Sequence, residues 1–346
     1  MEKGADGGDV WVFDEGKVRR PLGVTAVAGL NYVQFRRSGL TYETIRPGSF
    51  EPAARLKDME LDGLYAQVLY PSVALFGAAT YSDSPELQIA CVTAYNNWLT
   101  DFCAHDARRL YGLAVIPTVG IDSAVAELER ALKQNLRGVI LSRYPNGSFD
   151  PADEDDRFWA RMQEADLPAH VHIGGFIRPS QLPSLAQGRR FMGVAGASKS
   201  GASVIPIAVE FLFSGLLDKF PRLNVVLVEG NIGWIPTVLE QTDDMFLRFR
   251  FFAHGEGMKM LPSEYFYRNL WSTFMVDTHG MANRYKCNID KIMWSTDYPH
   301  TGTDWPNSRV TLERNFRGLP YDEVKKMVHD NARGLYKMDV PAVVPA

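Results

Sequence analysis

Lys291-Ile292-Met293-Trp294-Ser295-Thr296-Asp297-Tyr298-Pro299-His300 reads as a short buried strand, Lys291 to Ser295, that runs straight into an acid, an aromatic, a proline and a histidine. An aspartate at the carboxyl end of a strand in a closed parallel sheet stands where side chains converge on a ligand. Asp297 and His300 lie three residues apart, with Pro299 between them, and offer one metal ligand or base and one proton donor. A second strand of this kind lies upstream in Leu167-Pro168-Ala169-His170-Val171-His172-Ile173-Gly174-Gly175.

Outward from these two strands the same alternation continues. Strands are expected over Leu64 to Tyr70, Leu110 to Pro117, Leu136 to Ser142, Asn224 to Glu229 and Trp271 to Asp277. Helices are expected over Pro85 to His105, Asp122 to Gln134, Asp155 to Asp166, Ile205 to Phe220, Trp234 to Phe251 and Tyr321 to Tyr336. Val225-Val226-Leu227-Val228 is apolar at every position and therefore buried on both faces. Strands alternating with helices imply a parallel sheet. No G-x-G-x-x-G or Walker sequence opens a phosphate-binding turn. Polar residues gather instead at strand ends, at Arg143, His172, Glu229, Asp277 and Asp297. The expected fold is therefore α/β, a TIM (β/α)8 barrel with its site at the carboxyl ends of the strands. The chain is read as one domain, 1–346, with 1–50 a hairpin or insertion region in which Asp9 to Phe13 alternates and Asp14-Glu15-Gly16 turns.

The 346 residues are 46% hydrophobic and 23% charged, as in an ordinary globular chain, and the formal net charge of −4 argues against nucleic acid as a partner. No apolar run is long enough for a bilayer, so no membrane association is expected. The opening residues have no apolar h-region, and Cys91, Cys103 and Cys287 show no CxxC spacing, so a cytoplasmic protein with free thiols is expected.

An ordered set of short pieces resembles a known family. The pieces are Ala54-Arg55-Leu56-Lys57-Asp58-Met59 with Asp62-Gly63, Gln67-Val68-Leu69-Tyr70-Pro71, Ala94-Tyr95-Asn96-Asn97-Trp98-Leu99, and Leu167-Pro168 through Gly174. They continue in Phe220-Pro221-Arg222-Leu223, Glu229-Gly230-Asn231-Ile232-Gly233-Trp234-Ile235-Pro236, Pro262 to Phe266, Ser295 to His300 and Asn331-Ala332-Arg333. Together they resemble the amidohydrolase-related branch that contains aminocarboxymuconate-semialdehyde decarboxylase and the non-oxidative aromatic acid decarboxylases. The resemblance implies a metal-dependent hydrolase or decarboxylase acting on a small carboxylated or aromatic substrate. It implies one divalent metal, zinc first and manganese as the alternative, and a homo-oligomer, a dimer. The ligands it implies come from a pair on the first strand, a histidine on a middle strand and an aspartate on the last. His172 matches the middle histidine and Asp297 the last aspartate. Glu229 stands where many members place a further histidine as proton donor or acceptor.

One part of the family pattern is absent, since no histidine precedes His105 and the ligand-bearing first strand is not found. Leu64 to Tyr70 and Ile292 to Ser295 are then expected to flank the place where it belongs, and metal to be held substoichiometrically. The alternative is a metal-poor pseudoenzyme or small-molecule-binding barrel. Asp297, Glu229 and His300 are the candidate catalytic residues. Arg143, His300 and Trp234 are the candidate substrate contacts, and His172, Asp297 and His170 the candidate metal ligands. His170 shares a face with His172, yet structural packing is the better reading of it. Glu229 would be costly to bury unpaired, and Arg143 is a candidate partner for it. Tyr95, Trp98 and Phe102, at helical spacing, read as core.

Overall fold

The computed structural model describes residues 1–176 and 192–342. The amino-terminal part carries a small antiparallel sheet of β1 (Glu2–Lys3), β2 (Asp9–Phe13) and β3 (Val18–Pro21), in that order. Asp14, Glu15 and Gly16 all have positive φ (49°, 55° and 95°), which reverses the chain tightly enough for Phe13 to pair with Val18.

The remaining strands run parallel. They are β4 (Gln67–Leu69), β5 (Leu110–Gly112), β6 (Ala114–Val115), β7 (Val139–Leu141), β8 (Ala169–His172), β9 (Val225–Val228), β10 (Leu270–Phe274) and β11 (Ile292–Trp294). β6 to β11 form a six-stranded sheet in sequence order, and β4 pairs with β5 in a two-stranded sheet. Only Leu113 separates β5 from β6. Its N–H donates to the Leu69 carbonyl (3.3 Å), while the next N–H, of Ala114, donates to Gly138 (2.9 Å). One strand thus hands over from one neighbour to the next, and the two sheets make a single run of seven strand positions, with helices in the connections. β8 and β9 are buried at every position, as expected for strands covered on both faces. β4 and β11 end the run, and among the described residues no pairing joins them.

Where the helices differ from expectation, the backbone says why. The apolar stretch from Ile205 breaks at Gly215, whose φ of 74° no helix accepts, into Val204–Phe213 and Leu216–Lys219. The closing helix is interrupted by a wide turn over Lys326–Asp330. A helix over Pro52–Asp62, read from sequence only as a family fragment, opens with proline at its first position and ends on left-handed Gly63. Among the described residues no helix is long and apolar enough to cross a membrane.

Helix Pro85–Ala104 is pinned to the sheet by one residue. Asn96, fully buried, accepts from the Val115 N–H (3.0 Å) and donates to the Val115 carbonyl (2.9 Å) and to Glu127 (2.6 Å). It acts as a one-residue strand on the edge of β6 that β4 is too short to reach. Asn96→Leu keeps the volume but leaves both backbone groups of Val115 unpaired. A loss of roughly 3 kcal/mol is expected in chemical denaturation, and a loss below about 1 kcal/mol would show that water or a shift of the helix replaces the amide.

Candidate active site

A cavity of about 1070 Å³ lies between the two ends of the strand run. One wall is Leu64 to Tyr70, through β4, and the other is Met293 to His300, through the end of β11. Glu229, just past β9, and Thr273, in β10, close its inner side. Tyr95, Trp98 and Phe102 form a further wall, with ring centroids 5.8 and 5.2 Å apart along the stripe. Tyr95 and Phe102 do pack into the core, as expected, but the stripe also faces the cavity and Trp98 is exposed.

Three of the residues singled out from sequence, Glu229, Asp297 and His300, line this cavity, and a fourth, His172, lies buried against Glu229. His172 Nε2 lies 2.9 Å from Glu229 Oε1. The Glu229 carboxyl also reaches that of Asp297. Asp297 Oδ2 stands 3.6 Å from His300 Nδ1 and accepts from the Gly302 N–H at 2.7 Å. The order His172, Glu229, Asp297, His300 is therefore a continuous polar chain drawn from three strand ends. Two members sit on left-handed backbone, Glu229 at φ 63° and Asp297 at φ 52°. That conformation is unfavourable for a side-chain-bearing residue and gathers at functional sites. For Glu229 it is held by the backbone N–H, which donates to Thr273 Oγ1 (2.8 Å).

The electrostatics follow from burial. Burial raises the Asp297 carboxyl to about 6 against the pull of the His300 imidazole, and nearby Glu229 adds to the rise. Burial also works to raise Glu229, but the His172 imidazole outweighs it and the net shift is downward. His300 is raised overall, because Asp297 and Glu229 favour its charged form more than burial opposes it.

His172 bears on whether a metal fits. Its Nδ1 is 2.9 Å from the Ile173 carbonyl and donates to it, which turns the lone pair of Nε2 toward Glu229. Nε2 is buried 2.9 Å from the Glu229 carboxylate, off the ideal hydrogen-bond line. That approach requires a proton or a cation between the two; with a proton it is the ion pair that lowers Glu229. One imidazole nitrogen and two carboxylates are a donor set of the right kind for a divalent ion. Among the described residues, however, no cluster of three or more such side chains is already spaced as a metal site.

Three candidates lie elsewhere. His170 is fully buried, with Nδ1 3.0 Å from the Val139 carbonyl, Nε2 2.9 Å from the Tyr336 hydroxyl and its ring stacked on Tyr336. Both nitrogens are taken, so no lone pair remains for a metal, and burial lowers the ring to about 4. Arg143 donates to the Gly147 carbonyl (3.5 Å) and lies over the Phe149 ring; His172, not Arg143, meets Glu229. Trp234 donates to the Gly230 and Asn231 carbonyls and packs edge-on against Phe266, off the cavity wall.

Sequence reasoning missed the cavity residues Arg55 and Tyr298. Arg55, Asp58, Met59 and Asp62 are the buried residues of helix Pro52–Asp62, a spacing of one helical face. Their charges share one helical face, but only the fold shows that this face is buried.

Known proteins share this arrangement of chain. The amidohydrolase family profile matches residues 43–338. A gamma-resorcylate decarboxylase of Rhizobium radiobacter is 24% identical over 315 residues, covering 82% of this chain and 86% of the relative. The structure of a dihydroxybenzoic acid decarboxylase from Polaromonas sp. JS666, with bound manganese and the inhibitor 2-nitroresorcinol, superposes with a TM-score of 0.63 at 21% identity. It covers 83% of this chain and 86% of that one. An amidohydrolase from Mycobacterium avium subsp. paratuberculosis gives a TM-score of 0.71 at 16% identity over 95% of this chain and 92% of its own. With most of its 346 residues inside the family profile, this chain belongs to the amidohydrolase family of enzymes.

Proposed function

We propose that the protein is a divalent-metal-dependent decarboxylase of a small aromatic carboxylic acid. The observation that carries this is the buried His172 Nε2 facing Glu229 at 2.9 Å, with Asp297 beside them. His172 and Asp297 would hold the ion, with Glu229 closing the set. A donor set richer in carboxylate than in imidazole or thiolate favours manganese over the zinc expected from sequence. The bound ion would supply Lewis-acid stabilisation of negative charge on the substrate oxygens.

The chain's own groups do the rest. His300, whose charged form Asp297 and Glu229 favour, is the proton source on the cavity wall. A proton passes from His300 to the ring carbon that bears the carboxylate. The carbon–carbon bond then breaks, its electrons return to the ring, and carbon dioxide leaves. Tyr95, Trp98 and Phe102 offer flat apolar surface to the ring.

The same reading extends to the fold. The seven parallel strand positions are proposed to be part of an eight-stranded barrel, with a strand's place between β4 and β11. Similarity in fold to amidohydrolases supports it. Metal retention in the 346-residue chain is then proposed to be substoichiometric.

The test is carbon dioxide release from 2,6-dihydroxybenzoate and related hydroxybenzoates by purified protein with added Mn²⁺, and again after EDTA. Release that EDTA abolishes and Mn²⁺ restores is the expected result. Release unaffected by chelation, or ester or amide hydrolysis with no decarboxylation, would overturn the reading.

A further inference from the structure

We infer that Arg55 anchors a carboxylate group of a small acidic ligand, in the same cavity as Glu229 and Asp297. This rests on the reading of the cavity as the substrate site and adds a requirement to it: the ligand carries an acidic group away from its reacting end.

Arg55 is 6% exposed and lines the cavity. The groups that touch its guanidinium are neutral, and Asp58 acts on it only across space. Nε donates to the Gly48 carbonyl (2.6 Å), Nη1 donates to Gln67 Oε1 (3.0 Å), and the group lies 4.5 Å from the centre of the Tyr298 ring. Among the described residues no carboxylate comes within ion-pair distance of it. Asp58, on the same helix face, is already engaged. Arg46 takes both its oxygens, at 2.5 and 3.0 Å, and the Tyr298 hydroxyl donates to Oδ2. Asp58 is thus paired with Arg46, and the guanidinium left with no carboxylate in contact is the buried one.

A desolvated cation without a counter-ion is costly, and a ligand that supplies the anion recovers that cost. The fork of a guanidinium suits a carboxylate in particular, through paired charge-assisted hydrogen bonds. Tyr298 ties Arg55 to the reacting end of the cavity, since its backbone follows Asp297 directly and its ring rests against Arg55. The same carboxylate chemistry could also arrive on a side chain of an extended peptide laid between β4 and β11; the small acid is the proposal and the peptide an outcome of the test.

Calorimetric titration of the whole chain with isophthalate and with 3-carbamoylbenzoate, which has a neutral amide in place of the second carboxylate, in the presence of Mn²⁺, tests it. Wild type should bind isophthalate at least tenfold more tightly than 3-carbamoylbenzoate. Arg55→Met should lose at least tenfold for isophthalate with little change for 3-carbamoylbenzoate. Arg55→Lys, which keeps charge without the fork, should fall between and serves if the methionine variant does not fold. An unchanged isophthalate preference in both variants overturns the proposal. So does a wild type that ignores isophthalate but binds a blocked pentapeptide of alternating valine and aspartate in an Arg55-dependent way. Binding needs no turnover. An Arg55-dependent preference with no decarboxylation would therefore leave the anchor standing and remove only the decarboxylase reading.

Discussion

Replacing Asp297 with asparagine should lower decarboxylation by roughly a thousandfold while leaving the circular dichroism spectrum and melting temperature close to those of the wild type. The charge is what changes. Asp297 sits on left-handed backbone at φ 52°, a conformation asparagine accepts as readily as aspartate, so no strain is added. The amide oxygen can still accept from the Gly302 N–H, which now reaches Oδ2 at 2.7 Å. What disappears is the anion that favours protonated His300 and that would hold the metal. Manganese content after dialysis should fall in parallel with activity. A variant that turns over within tenfold of the wild type would remove Asp297 from the chemistry altogether.

Glu229 should show the opposite relation between activity and stability. Its φ of 63° costs a residue with a β-carbon roughly 1 kcal/mol or more. Glu229→Gln keeps that strain and removes the charge, whereas Glu229→Gly removes both. Both variants should lose at least a hundredfold in turnover. The glycine variant should nevertheless unfold at higher denaturant concentration than the glutamine variant, by about 1 kcal/mol, because only the glycine relieves the backbone. A glycine variant less stable than the glutamine variant would mean that the left-handed turn is intrinsically comfortable here and that its position near the chemistry is incidental.

The contrast between residues read correctly and incorrectly has a physical cause. Val225 to Val228 announces a strand covered on both faces by composition alone, so the residue after it, Glu229, is easily placed at a strand end. Position along a strand, however, does not give depth. His170 and His172 point the same way because side chains alternate, yet His170 lies one layer below and meets Tyr336, a residue 166 positions away. Arg143 and Trp234 also follow strands, but their orientation depends on loop backbone that no periodicity encodes. Arg55 was hidden for another reason. Its stretch reads from sequence only as a family fragment, and only tertiary structure shows that its charged face is the buried one. The cavity wall formed by Tyr95, Trp98 and Phe102 has the same origin, since helical spacing marks a face without saying whether core or open space lies against it.

The contacts of helix Pro52–Asp62 with the loop that carries Asp297 bear on how the protein is made. Tyr298 donates to Asp58 across 240 residues of chain, the Trp305 indole donates to the Asp58 carbonyl across 247, and Ser308 donates twice to Asp62 across 246. During synthesis the helix emerges early, and these partners of Asp58 and Asp62 arrive only when nearly the whole polypeptide has left the ribosome. The loop that carries Asp297 in turn lacks these anchors until that helix is in place. Assembly of the site is therefore bound to closure of the chain's two ends on each other, and a nascent or prematurely terminated polypeptide, however well its central strands have formed, has no ordered place for a substrate.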